Sequence, residues 1–174
     1  LCGNDEELMK EAVAYRKFVG HMISPDDAYR LNTQILTFGL RFPQQCSNAH
    51  NLARLLSNSK LVEKVWYPGL ETHDSHTIAQ NLFDGKGYGA MVTFSFSGVG
   101  DKEKRSKRDS FIASVIEKIH LVPTLGDPHT ILMPVEPVWG HKYPDPGMIR
   151  MSVGFEPFKE LESTVLDALE RISI

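Results

Sequence analysis

The run Met148-Ile149-Arg150-Met151-Ser152-Val153-Gly154-Phe155-Glu156 constrains the fold of this chain most, because from Ile149 onward apolar and polar positions alternate without a break. A period of two belongs to a β-strand. It turns Ile149, Met151, Val153 and Phe155 toward a core, and Arg150, Ser152, Gly154 and Glu156 the other way. Arginine's planar fork grips a carboxylate through two parallel hydrogen bonds, so a strand-held Arg150 is a candidate anchor for an amino acid. By residue type alone, a solvated strand face is the commoner place for an arginine.

Helical patterns flank this strand. Leu8, Ala12, Tyr15 and Val19 recur at helical spacing and stop at Gly20. Ser24 offers an N-cap, Pro25 suits the first helical position, and Asp26 and Asp27 suit the positive end of the dipole. From there Ala28, Leu31, Ile35, Phe38 and Phe42 form one stripe that ends at Pro43, and Ala49, Leu52, Ala53 and Leu56 mark a third helix. A strand is expected over 61–67 and a helix over 77–83. A second strand carries Val92, Phe94 and Phe96, and a helix over 111–119 carries Ile112, Val115, Ile116 and Ile119. The closing helix starts at Pro157 and buries Leu161, Val165, Ala168, Leu169 and Ile172. Pro134 to Pro146 holds four prolines and reads as an irregular loop. Strands alternating with helices predict an α/β fold, one small sheet covered by helices.

The 174 residues suit one domain, with helical segments over 1–57 and an α/β sandwich over 58–174. A net charge of −3 gives no support for a nucleic-acid or membrane partner. The basic stretch from Lys102 to Arg108 is interleaved with acids and reads as a solvated loop or helix start. Cys2 and Cys46 allow at most one bridge and have no metal or redox spacing, which points to a reduced, cytoplasmic protein. His73 and His76 have the spacing of a metal pair, but no third ligand stands at an obvious distance. Asp74 and Ser75 read as caps of the helix that follows. Trp66, Tyr67 and Trp139 are packing elements before they are pocket walls. Asp109, Glu117 and Glu136 show no pairing that suggests acid–base work.

Several segments, in order, resemble the pyridoxal-phosphate (PLP) enzymes of cysteine and methionine metabolism, the trans-sulfuration family. The strand run is similar to that family's IRLSVGxE signature. Gly20 to Ala28 resembles its SPfdA segment, and Leu40-Arg41-Phe42 with Asn48-Ala49 resembles its LRm…NA helix. Tyr67-Pro68-Gly69-Leu70 through His76 resembles YPGLxSHPxH, Gly87 to Phe94 resembles GxGamvSF, and Thr124-Leu125-Gly126-Asp127 resembles SLGD. The resemblance implies the carboxy-terminal small domain of a fold-type I PLP-dependent transferase. The lysine that holds the cofactor, and the large domain around it, would lie in an amino-terminal part outside this chain, so the chain alone would be inactive.

The same resemblance implies a cystathionine γ-synthase or cystathionine lyase acting on sulfur-containing amino acids, with an O-acylhomoserine sulfhydrylase or a methionine γ-lyase as alternatives. Arg150, Thr124 and Leu125 would bind the substrate carboxylate, and no catalytic, cofactor or metal residue would lie here. The partners implied are the chain's own large domain and a homotetramer. Pro123 stands where the family carries residues that separate its reactions, and it matches none of them. A reading of another class, a non-catalytic binding or assembly module, is kept open by helices and strands complete enough to fold alone.

Overall fold

The computed structural model describes residues 3–143 and 145–172, with His141 described by its backbone alone. Cys2, and Pro144 in the proline-rich stretch, lie outside the described residues. The chain divides into two compact units, Leu1–Gly39 and Leu40–Ile174.

The first unit holds α1 (Glu6–Val19) and α2 (Pro25–Ile35), and the end of α1 and the start of α2 follow the sequence signals. Asp5 caps α1 by accepting from the Leu8 N–H at 3.0 Å, and Gly20 ends it at φ +105°. Ser24 Oγ accepts from Asp27 N–H at 3.1 Å, and Pro25 takes the first helical position. Neither helix buries a residue.

The expected helix ending at Pro43 is not formed. α2 stops at Ile35, and α3 runs Phe38–Ser57 with Pro43 inside it. Pro43 lies in the second turn, where its missing N–H removes a single intrahelical bond. The buried stripe of Ala49, Leu52, Ala53 and Leu56 holds the helix beyond it.

In the second unit a five-stranded sheet has the order β1-β2-β5-β4-β3. Its strands are β1 (Val62–Trp66), β2 (Met91–Phe96), β3 (His120–Leu121), β4 (Ile131–Pro134) and β5 (Met148–Ser152). Neighbours are antiparallel except β3 and β4, which are parallel. The strand with the alternating signature is therefore central, with β2 on one side and β4 on the other. Opposed residues share a face, so Phe94, Ile149, Met151, Leu132 and Val92 form one apolar surface. α3, α5 (Asp101–Val115) and α7 (Phe158–Ile172) pack on it. Leu52, Leu56, Phe111, Val115, Leu161 and Val165 join the sheet residues in one core. The rings of Phe94, Phe96 and Phe111 meet edge-on or tilted at 5.4–5.7 Å.

Other expectations move. The basic stretch forms the first turns of α5, which begins at Asp101, ten residues before the apolar pattern starts. Ile116 falls in the turn after α5 and is exposed, while Phe111 takes its place in the core. The stretch from Pro134 to Pro146 is not wholly irregular: α6 (Val135–Trp139) follows β4, and a 3-10 turn spans Gly140–Lys142. Proline is tolerated in a first helical turn, which is where Pro137 stands.

Candidate functional site

Thr93 of β2 and Met133 of β4 flank Arg150 in register, on the face opposite the core. The guanidinium Nη2 donates to the carbonyl oxygens of Pro123 at 2.9 Å and Thr124 at 2.7 Å. Nε is buried and has no hydrogen-bond partner. Burial pulls the guanidinium pKa below its ordinary value, because desolvation disfavours the charged form. It remains a cation at neutral pH.

The alternating run is strand only as far as Ser152, and the face expected to be solvated is largely covered. Ser152 is buried, and beyond the strand Gly154 is buried and Glu156 half-buried, because the loop over 123–130 lies against them. Gly126 N–H donates to Ser152 Oγ at 3.0 Å, and Gln45 Nε2 of α3 donates to the Asp127 carbonyl at 3.2 Å. Phe155 N–H donates to the Pro128 carbonyl at 2.9 Å. Thr124 is thus brought to Arg150 through its backbone. Leu125 has no such tie, and its side chain is 65% exposed.

Asn48 escaped the sequence reading as a site-building residue. Fully buried on α3, it donates from Nδ2 to the carbonyls of Gly154 at 3.1 Å and Glu156 at 2.8 Å. Its Oδ1 accepts from Gln44 at 2.9 Å. Thr130 completes the knot: its hydroxyl accepts from Gly154 N–H, and its own N–H donates to Glu156 Oε1. Glycine is required at 154 for space, since a Cβ there would press into the Glu156 carboxylate and the backbone of Pro128 and His129. The glycine and glutamate of the signature are explained by this packing.

The Tyr67-to-His76 segment is also architectural. Tyr67 OH donates to the carbonyls of Gly89 at 3.0 Å and Cys46 at 3.3 Å, and burial raises its pKa well above the ordinary phenol value. Gly69 gives the Tyr67 ring its room. His76 Nδ1 bonds the Pro68 carbonyl at 2.8 Å, and its ring stacks on Tyr88 at 5.4 Å. His73 Nδ1 accepts from Ser75 N–H, and Ser75 holds the N-cap position of α4 (His76–Phe83) without a side-chain cap bond. Among the described residues no group of three or more potential ligands could hold a metal. Burial pushes the Cys46 thiol pKa up.

Trp66 receives the Lys64 ammonium 5.1 Å from its ring centre, and Trp139 meets Tyr143 edge-on at 6.1 Å. A charged knot was not legible either. Glu136 of α6 accepts from Arg105 through both oxygens, at 3.1 Å or less from Nε and 2.7 Å from Nη2, and from the buried Arg108 at 3.0 Å. The Arg105 hydrogen bonds hold the Glu136 carboxyl below its usual range.

A Schiff base to pyridoxal phosphate needs a lysine in a desolvated pocket. Among the described residues Lys104 and Lys107 are ion-paired with Glu63 and Glu103, and every other lysine is exposed. These residues do not fit the anchoring of that cofactor.

The sheet, its covering helices and the loop over the central arginine define a part of a fold-type I PLP enzyme. The crystal structure of metB from Corynebacterium glutamicum matches 97% of this chain and 43% of its own, with TM-score 0.83 and 27% identity. The chain belongs to the family described as Cys/Met metabolism PLP-dependent enzyme, which matches residues 1–170. A canavanine gamma-lyase from Rhizobium leguminosarum bv. trifolii is 33% identical over 87% of the chain and 38% of its own length. A cystathionine beta-lyase from Lactococcus lactis subsp. cremoris is 30% identical over 97% of the chain and 44% of its own length. The chain therefore spans about two fifths of the length of these relatives. Among the described residues no helix is long and apolar enough to cross a membrane.

Proposed function

We propose that this chain forms the substrate-carboxylate side of the active site of a PLP-dependent trans-sulfuration enzyme of the cystathionine synthase or lyase kind. The observation that carries this reading is the buried, unpartnered Nε of Arg150 beside an Nη2 docked on a loop. An unsatisfied buried donor costs about 1–3 kcal/mol, and a substrate carboxylate would remove that cost. Canavanine and cystathionine, named for two relatives, both carry an α-amino acid carboxylate, which supports the assignment.

On this reading Arg150 grips the α-carboxylate and the Thr124-Leu125-Gly126 turn closes beside it, orienting the bonds at Cα. The cofactor and its lysine are supplied by a large domain outside this chain, and residues 1–57 lead as helical segments into the α/β part over 58–174. A homotetramer in the cytoplasm is the assembly and place implied.

The test is Arg150→Ala in the full-length protein, assayed on L-cystathionine. KM is expected to rise about 100-fold, the loss of a buried charged pair. Arg150→Lys restores little of it, because a point charge lacks the fork. An unchanged KM removes Arg150 from the site. Product analysis with cystathionine, methionine, canavanine and O-acetylhomoserine separates the reactions within the family.

A further inference from the structure

Arg150 and Ser152 stand two residues apart on one face of β5, and both hold the same short loop. Arg150 holds its start, through the carbonyls of Pro123 and Thr124. Ser152 holds its turn, through the Gly126 N–H at 3.0 Å. Between the two ties lies Leu125, whose side chain is exposed.

The arginine tie conflicts with carboxylate binding. A guanidinium offers a carboxylate two parallel N–H groups along one edge, either Nε with Nη2 or Nη1 with Nη2. Both edges include Nη2, which here donates to two loop carbonyls. A bidentate carboxylate at Arg150 must therefore displace at least one of those carbonyls. When it does, the Pro123-Thr124 end of the loop loses part or all of its hold on β5. The Gly126–Ser152 bond does not involve the guanidinium and survives the exchange.

Resting on the carboxylate reading of Arg150, we propose that Ser152 is a positioning residue: it pins the loop at Gly126 while the substrate carboxylate replaces the loop carbonyls on Arg150. The pin keeps Thr124 beside the bound amino acid. Ser152 suits this task because its hydroxyl is buried, with 2% of the residue exposed, so water does not compete for the Gly126 N–H. Gly126 itself has φ +81°, a conformation that favours glycine, and the turn presents its N–H to the strand from that conformation.

The experiment measures binding of L-methionine and of L-methioninamide, which lacks the carboxylate charge, to the full-length protein by calorimetry, together with KM and kcat for L-cystathionine. Ser152→Ala is expected to weaken methionine binding about tenfold, as for loss of one hydrogen bond in the site, and to leave methioninamide binding unchanged. KM rises with it and kcat changes less than about threefold. Ser152→Thr keeps the acceptor and restores the preference for methionine. Ser152→Cys keeps the size but is a weak acceptor, and behaves as Ala. If Arg150→Ala abolishes the preference for methionine and Ser152→Ala leaves it intact, the positioning role is overturned and the carboxylate reading stands. Equal losses for both ligands in Ser152→Ala would show a packing defect and also overturn it. A wild-type protein that does not prefer methionine to methioninamide overturns the carboxylate reading and this inference together.

Discussion

Asn48 and Gly154 lie 106 residues apart in the chain and share a fully buried hydrogen bond, from the Asn48 amide to the Gly154 carbonyl at 3.1 Å. The same amide reaches the Glu156 carbonyl at 2.8 Å, so one α3 side chain closes the backbone turn that follows β5. The Gly154 carbonyl would otherwise be buried without this donor, and the half-buried Glu156 carbonyl would lose it as well.

Asn48→Ala is therefore expected to cost about 2–3 kcal/mol, since it leaves these acceptors unsatisfied. Asn48→Asp should be at least as damaging, because a carboxylate presents acceptors to acceptors. Urea unfolding of both variants checks this, and a loss below about 0.5 kcal/mol for either would contradict the role given to Asn48.

Gly154→Ala is expected to destabilise by roughly 3 kcal/mol, because the new methyl meets the Glu156 carboxylate and the Pro128–His129 backbone. Pairing it with Glu156→Ala should recover part of the loss, which separates the side-chain clash from the backbone one. Thermal melts of the single and double variants give the coupling.

Tyr67→Phe should cost about 1–2 kcal/mol, as the carbonyls of Cys46 and Gly89 lose a shared donor. Replacing Gly87 with alanine should cost more. It combines φ +99° with a Cβ set against the Cys46 side chain. Comparable melting temperatures for the wild type and both variants would refute the packing described around Tyr67.

The Glu136 pKa is lowered in the fold by its hydrogen bonds to Arg105, so the stability it contributes is complete above the unfolded carboxyl value of about 4.3. That stability is lost as pH falls through the lower folded value. Glu136→Gln is expected to lose about 1–2 kcal/mol at pH 7 and to show a flatter acid limb than the wild type. Denaturation midpoints between pH 2 and pH 7 measure the difference in slope.

Much of the architecture was legible where one local signal had no competitor. Gly20 set the end of α1, and Ser24 and Pro25 set the start of α2, through their own local chemistry. The alternation around Arg150 gave a strand because its apolar set was long enough to fix the register. Pro43 misled because its cost depends on its place in a helix, and that place depends on where α3 begins. β3 and β4 escaped notice since two and four residues are too few to display a period. In the candidate site Arg150, Thr124, Asn48 and Ser152 all lie in motifs, but the partners of Gln45, Asn48 and Ser152 are residues that only tertiary folding brings near.

Each edge of the sheet ends in a poor template for a further strand. β3 has two residues, and β1 carries an irregularity between Val62 and Lys64 with the charged Glu63 and Lys64 exposed. A second chain approaching either margin finds too few aligned backbone groups to continue the ladder. Both margins of the sheet therefore offer little for strand addition, and substitutions that straighten β1 or remove its charges would lengthen the template it presents.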